Sequence, residues 1–332
     1  MNTKLSNFLL TSAVVVSAPI WIPYELVTGI IGKISKKEDK QETNEDKPEK
    51  QDDLEKEKEV ETLDLINPAK IKGKKLFYPS EIEIQIEDIA RSLKQTEYKS
   101  MQKMMIEEGL GEGFIALFYG EPGTGKTESV LQIAKLCNRN IFSVDMAEIV
   151  SKWIGETGHR VRQTFKKYKK YCRIAEKNNK PIPIMLLNEA DALIGKRHSF
   201  DSGSSPIGIQ DNNQVQGILL EEFEKNKGII ILTTNMACNL DSAFESRIFE
   251  KIHFNIPDIS TREKIWKDKI PELDDISISY LSKEFDFSGR DINHAVRNIK
   301  KKKILSESKQ LPDFDTICLI CENMKIKGKT KQ

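Results

Sequence analysis

The octet GEPGTGKT, residues 120–127, narrows what this chain can fold into more than any other stretch. It follows the apolar run GFIALFY and precedes ESVLQIAKLC, so a strand passes through a glycine-rich turn into a helix. Gly120, Gly123 and Gly125 let the backbone wrap closely, with N–H groups pointing at phosphate oxygens. The pattern G-x-x-x-x-G-K-[ST] in that setting is a phosphate cradle. Lys126 would place a point charge between two phosphates, and Thr127 would offer its hydroxyl to Mg²⁺. The expected nucleotide-binding residues are Gly120, Glu121, Pro122, Gly123, Thr124, Gly125, Lys126, Thr127 and Glu128.

Three further apolar runs read as strands: NIFSVD at 140–145, PIPIMLLNEAD at 181–191 and KGIIILTTN at 227–235. Helical patterns lie between them, and SEIEIQIEDIARSLK at 80–94 has a serine at its start and helical apolar spacing. This alternation predicts a parallel sheet with helices on both faces. After Pro257 the strand patterns stop, and STREKIWKDKI opens what reads as a capped helix. The expected fold is therefore α/β: a doubly wound parallel sheet of the P-loop NTPase kind over 63–257, then a small α-helical lid over 258–326 and a basic tail over 327–332.

Upstream, residues 1–34 are mostly apolar. The uncharged part from Phe8 to Tyr24 is about long enough to cross a thin hydrocarbon core. Pro19, Pro23 and Glu25 interrupt it, and Lys33, Lys36, Lys37 and Lys40 would hold the following end in the cytoplasm. The segment reads as a membrane anchor or membrane-dipping stretch, with a buried or partner-binding helix as the alternative. A cleaved signal peptide fits less well, because the start is weakly charged and Pro19 directly follows Ser17 and Ala18. Residues 35–62 are nearly all charged or polar and read as a solvated linker. The expected location is cytoplasmic, with membrane association through the N-terminal segment.

Charge and cysteine content exclude some classes. A net charge of +1 over 332 residues gives no global basic field for nucleic acid. Cys137, Cys172, Cys238, Cys318 and Cys321 form an odd, scattered set, which fits a reducing compartment better than a disulfide framework. Cys318 and Cys321 make a lone C-x-x-C, read as small apolar residues on a helix face rather than a zinc site.

The run ending in Asn188-Glu189 carries the chemistry and one anomaly. In P-loop enzymes such a strand ends in an Asp that holds the Mg²⁺ shell, often followed by a Glu that orients water. Asn188 keeps an oxygen acceptor of the same shape without the charge, so Thr127 and Asn188 are the expected metal-side residues. Glu189 is the expected base or orienting group for water. Asp191 is either a partial substitute for the missing charge or a structural acid on the next turn.

With these residues together, positions 75 to about 325 resemble the AAA family of AAA+ ATPases, and within it bacterial AAA ATP-binding proteins. IVSKWIGETGHRVRQTF at 149–165 resembles the segment bearing the family's first pore loop, with Trp153 and Ile154 as the pair that grips polypeptide in a ring channel. An aromatic there offers large, sequence-tolerant contact area. LTTNMACNLDSAFESRIFEKIHF at 232–254 resembles the second region of homology, in which Asn235 would help Glu189 orient water and Arg247 would reach a neighbouring subunit's γ-phosphate. Ser246 stands where many relatives have a second arginine. DFSGRDINHAVRNIK at 286–300 resembles the lid helix, with Arg290 at the position that touches γ-phosphate in cis; Arg297 reads as a solvated face residue. Lys196, Arg197 and His198 fall in a Gly/Ser-rich stretch that is either a second pore loop or a surface loop.

The resemblance implies ATP and Mg²⁺ as cofactors, a homo-hexameric ring, and a protein client remodelled, unfolded or disassembled by ATP hydrolysis. The catalytic set it implies is Glu189, Lys126, Asn235, Arg247 and Arg290. No H-E-x-x-H is present, so proteolysis by this chain is not expected. Two rivals stay open. One is an ATP-gated scaffold that hydrolyses weakly because of Asn188. The other is a clamp-loader-like nucleic-acid remodeller, against which the Trp-bearing loop and balanced charge both argue.

Overall fold

The computed structural model describes residues 64–151, 157–194, 206–235 and 241–329. The N-terminal apolar segment, the charged linker up to residue 62, Trp153, Ile154, Lys196, Arg197 and His198 lie outside them.

A short strand β1 (Leu65–Ile66) and a 3₁₀ turn lead into helices α1 (Ser80–Ser92) and α2 (Gln95–Glu107). Then come β2 (Phe114–Gly120), α3 (Lys126–Leu136), β3 (Ile141–Asp145), α4 (Met146–Ser151), α5 (Thr157–Lys177) and β4 (Ile184–Asn188). The α/β part ends with α6 (Asp191–Ile194), α7 (Pro206–Glu224), β5 (Ile229–Thr234), α8 (Ser242–Glu245) and β6 (Glu250–Phe254). The six strands lie in the order β1-β3-β4-β5-β2-β6. All neighbours are parallel except β1, which pairs antiparallel with β3 at one edge. β2 sits between β5 and β6, so the chain leaves it towards β3 on one side and later passes it to reach β6 on the other. Its carboxyl end is thus the point where strand order reverses, the usual place for a ligand crevice in such sheets.

Strand residues alternate cleanly between two cores. Phe114, Ala116 and Phe118 pack with Ile86 and Ile89 of α1 and Val130 and Ile133 of α3. Ile115 and Leu117 pack on the other face with Phe165 and Tyr168 of α5 and Leu219 and Phe223 of α7. With helices covering both faces, the central strands read as unbroken apolar runs.

Beyond Pro257 four helices follow: α9 (Ile259–Lys269), α10 (Asp275–Glu284), α11 (Gly289–Leu305) and α12 (Phe314–Lys329). They close around fully buried Trp266, with Leu281, Ile292, Ile299 and Cys321. Cys318 packs against that core and Cys321 is buried within it, as expected for apolar helix-face residues. Helix α12 runs on to Lys329, into the stretch expected as tail.

Two helix starts differ from the sequence reading. Pro79, not Ser80, occupies the cap of α1, and no side chain among the described residues caps it. Asp258, not Ser260, caps α9 by accepting from the Thr261 N–H at 2.8 Å. In both cases the true cap lies just upstream, where the backbone is still extended.

Candidate active site

The turn between β2 and α3 is shaped by what surrounds it. Gly120 has φ +129°, and a Cβ there would lie 2.3 Å from the Phe254 carbonyl oxygen of β6. Gly123 has φ +83°, and a Cβ would lie 2.6 Å from Arg290 Cβ and 2.8 Å from Ser288 Oγ. The first glycine therefore admits the neighbouring strand, and the second admits the lid. The first turn of α3 leaves backbone N–H groups without helical partners, which suits an anion.

Lys126 is buried, and its Nζ donates to the carbonyls of Gly120 and Glu121, each at 2.8 Å. Burial pulls its pKa below the ordinary lysine range; the Asp191 carboxylate opposes that and Arg290 adds to it.

Thr127 Oγ1 donates to Asn188 Oδ1 at 2.8 Å, and Thr233 Oγ1 donates to the same oxygen at 2.7 Å. The Glu189 N–H reaches Thr233 Oγ1 at 3.4 Å. Glu189 itself is exposed with φ +55°, a left-handed backbone uncommon outside glycine. Strand β4 thus ends abruptly, and its next carboxylate lines the cleft, as Thr127 does.

Asp191 lies one turn on. It accepts from the Thr234 hydroxyl and, at 2.8 Å, from the Asn235 N–H. It therefore ties the start of α6 to the exit of β5 and sets where Asn235 stands. The structure resolves the two options for this residue towards a positioning role, with a charge that also reaches Lys126.

Arg247 is engaged within its own chain. It pairs with Glu224 at the end of α7 and donates to the Ala243 carbonyl, while its Nε is buried without a partner among the described residues.

Two segments complete the cleft. The Arg290 N–H at the start of α11 donates to the Gly123 carbonyl at 3.1 Å, so the lid rests directly on the phosphate turn. Ser288 and Asp291 cap that helix reciprocally. On the other side, the strand-free linker 71–79 is fastened along α3. Lys135 donates to the Ile71 carbonyl at 2.9 Å, and Gln132 holds the Lys72 carbonyl at 3.0 Å and the Lys74 N–H at 3.3 Å. Glu128 pairs with Lys74, and Ser129 meets the Tyr78 hydroxyl at 2.6 Å.

The resulting cleft has a volume of about 1250 Å³. Thr127, Asn188, Glu189, Asn235 and Arg290 all line it, as do Gly123, Thr124, Gly125, Lys126 and Glu128. Arg297 is exposed, as expected, yet it belongs to the cleft wall with Lys300 and Lys301. Lysines and arginines outnumber carboxylates among the lining residues, so the field there favours a polyanion. Phe77 and Tyr78 of the linker and Ile304 of the lid add apolar surface suited to a base. Sequence reading missed Thr233 and the linker. Thr233 was visible only as the residue two before Asn235, and the linker carries no motif.

The donor set admits Mg²⁺ only in company with a phosphate ligand. Thr127 spends its proton on Asn188, which leaves its oxygen lone pairs for a cation. Among the described residues, no group of three or more His, Cys, Asp or Glu could hold a metal by itself.

Comparison with known proteins follows the same residues. Residues 116–256 match the model of the family described as "ATPase family associated with various cellular activities (AAA)". The chain is 29% identical over 219 residues to cell division protein C of Sulfolobus acidocaldarius, covering 64% of this chain and 56% of that one. It is 30% identical over 220 residues to the ATP-dependent zinc metalloprotease FtsH of Lachnoclostridium phytofermentans, covering 63% and 35%. It is 30% identical over 190 residues to vacuolar protein sorting-associated protein 4B of Mus musculus, covering 55% and 40%. The chain thus spans roughly a third to just over half of these relatives' lengths.

Proposed function

Residues 116–256 are an AAA ATPase domain, and from that premise we propose that this chain binds and hydrolyses ATP and uses the cycle to remodel a protein client. The observation that carries this reading is that Lys126, Thr127, Glu189, Asn235 and Arg290, drawn from four separate segments, face one cleft. A triphosphate in that cleft puts its β- and γ-phosphates against the turn 120–127 and the Lys126 ammonium. Mg²⁺ held at Thr127 would draw charge off the phosphate oxygens. Glu189 orients the attacking water and takes its proton as the β–γ bridging P–O bond breaks. Asn235, held by Asp191, is placed to share in aligning that water. Arg290 contacts the terminal phosphate from the lid, and its N–H bond to Gly123 passes lid movement to the cradle.

In this reading Arg247 acts across a subunit boundary, which requires a ring, taken to be a homo-hexamer. To do so its guanidinium exchanges Glu224 for the neighbour's phosphate. Trp153 and Ile154 grip the client in the central channel, and hydrolysis moves them. The N-terminal segment attaches the ring to a membrane or a partner. Support for a protein client is the kinship with proteins named for proteasome regulation, vacuolar sorting and katanin. Among the described residues no helix is long and apolar enough to cross a membrane.

One observation favours a second reading. The uncharged Asn188 suits an ATP-gated scaffold that turns over slowly. Phosphate release by the purified full-length protein, with Glu189→Gln as control, separates the two. Release well above that control supports the motor; release equal to it supports the scaffold. A Glu189→Gln substrate trap with ATP, from membrane and soluble fractions, then identifies the client.

A further inference from the structure

We propose that Asn188 is a direct phosphate ligand, its amide N–H₂ donating to a triphosphate oxygen, so that this chain captures ATP without needing a divalent cation. The inference rests on the ATP-binding reading above and concerns capture alone, not cleavage.

In the structure the Asn188 amide oxygen faces two threonine hydroxyls. An amide oxygen has two lone pairs, and here Thr127 and Thr233 fill both, at 2.8 and 2.7 Å. Thr233 receives the Glu189 N–H on its own oxygen at 3.4 Å, so its proton is free to go to Asn188. The oxygen is therefore turned to the two threonines, and the amide nitrogen is turned the other way. That nitrogen has no partner among the described residues, and Asn188 lines the cleft together with Thr127 and Glu189.

This reverses the electrostatics of the position. A carboxylate with the same two threonines would present its second oxygen to the cleft. An acceptor facing phosphate oxygens repels them unless a cation lies between. An amide presents two N–H donors, which phosphate oxygens accept directly. The rest of the cleft points the same way. Lys126, Arg290, Arg297, Lys300 and Lys301 line it, so much of the triphosphate's charge is met by the protein. Asn188 then exchanges a metal-shell acceptor for a phosphate donor, and the cation is left to Thr127 and the chemical step.

The test is binding rather than turnover. Affinity for a fluorescent ATP analogue is measured on the full-length protein in excess Mg²⁺ and in EDTA, for wild type, Asn188→Asp, Asn188→Ala and Lys126→Ala. The wild-type Kd is expected to change less than about 3-fold on cation removal, whereas Asn188→Asp is expected to weaken more than about 10-fold. Asn188→Ala, which removes the donor without adding charge, is expected to bind several-fold more weakly than wild type in EDTA. It decides the matter if the aspartate variant does not fold. A wild type that itself loses 10-fold or more in EDTA, or an alanine variant equal to wild type there, overturns the proposal. Wild type binding no better than Lys126→Ala in both conditions overturns the ATP-binding reading, and this inference with it. Good binding in Mg²⁺ alone overturns only the role of Asn188.

Discussion

Asp191→Ala is the most discriminating single change outside the phosphate cradle. The carboxylate accepts from the Thr234 hydroxyl and from the Asn235 N–H, both on one oxygen. Hydrogen bonds to a charged acceptor contribute about 1.5–3 kcal/mol each. Asp191 is only partly buried, so water recovers part of that, and a net loss of about 2–3 kcal/mol is expected. For a domain of this size each kcal/mol moves the melting point by about 2–4 °C. Thermal unfolding followed by circular dichroism should therefore drop by roughly 5–10 °C. Asp191→Asn keeps an acceptor for both donors and loses only the charge, so its drop should be less than half as large, about 1 kcal/mol. The same two variants separate stability from catalysis. If Asp191 sets the position of Asn235, turnover measured well below the melting point should fall about 10- to 100-fold in the alanine variant, a cost of about 1.4–2.8 kcal/mol in the barrier. An alanine variant melting within about 1 °C of wild type would refute the anchoring role. A destabilised variant with unchanged turnover would refute the link from Asp191 through Asn235 to the chemistry.

Three further outcomes are expected. Glu189→Gln should retain nucleotide affinity within about 3-fold while turnover falls at least about a hundred-fold, because water loses its aligning base; equal turnover would remove Glu189 from the mechanism. Gly123→Ala should add about 1–2 kcal/mol of left-handed backbone strain and a clash with Arg290 and Ser288. The lid should then lift, seen as faster proteolysis between β6 and α9 and weaker nucleotide binding, and an unchanged cleavage pattern would contradict this. Arg247→Ala should lower turnover of the assembled protein by about a thousand-fold. Its melting point should fall only modestly, since the half-buried guanidinium gives up its pair with Glu224 and its bond to the Ala243 carbonyl, together about 1–2 kcal/mol; doping inactive Arg247→Ala subunits into wild type tests whether the residue acts in trans.

The parts of this protein legible in its sequence are those governed by neighbours along the chain. The turn 120–127, the buried runs of β2, β4 and β5, and the helical patterns between them declare themselves through spacing and composition, because a strand's two faces and a helix's stripe are local periodicities. The change from strand to helix patterns after Pro257 declares itself in the same way. Strand β6 escaped because EKIHF alternates at the sheet edge with only Ile252 and Phe254 buried, and β1 because two residues make no pattern. What the tertiary structure decided lies between residues distant in sequence. Thr233 reaches Asn188 across 45 positions, Arg290 rests on Gly123, and the linker is laced to α3 by side chains 51 to 64 positions away. Whether Asn188 serves as acceptor or donor depends on which way its amide turns, and no local periodicity encodes that. In the structure the oxygen faces two hydroxyls brought in from separate elements, which leaves the amide nitrogen for the cleft.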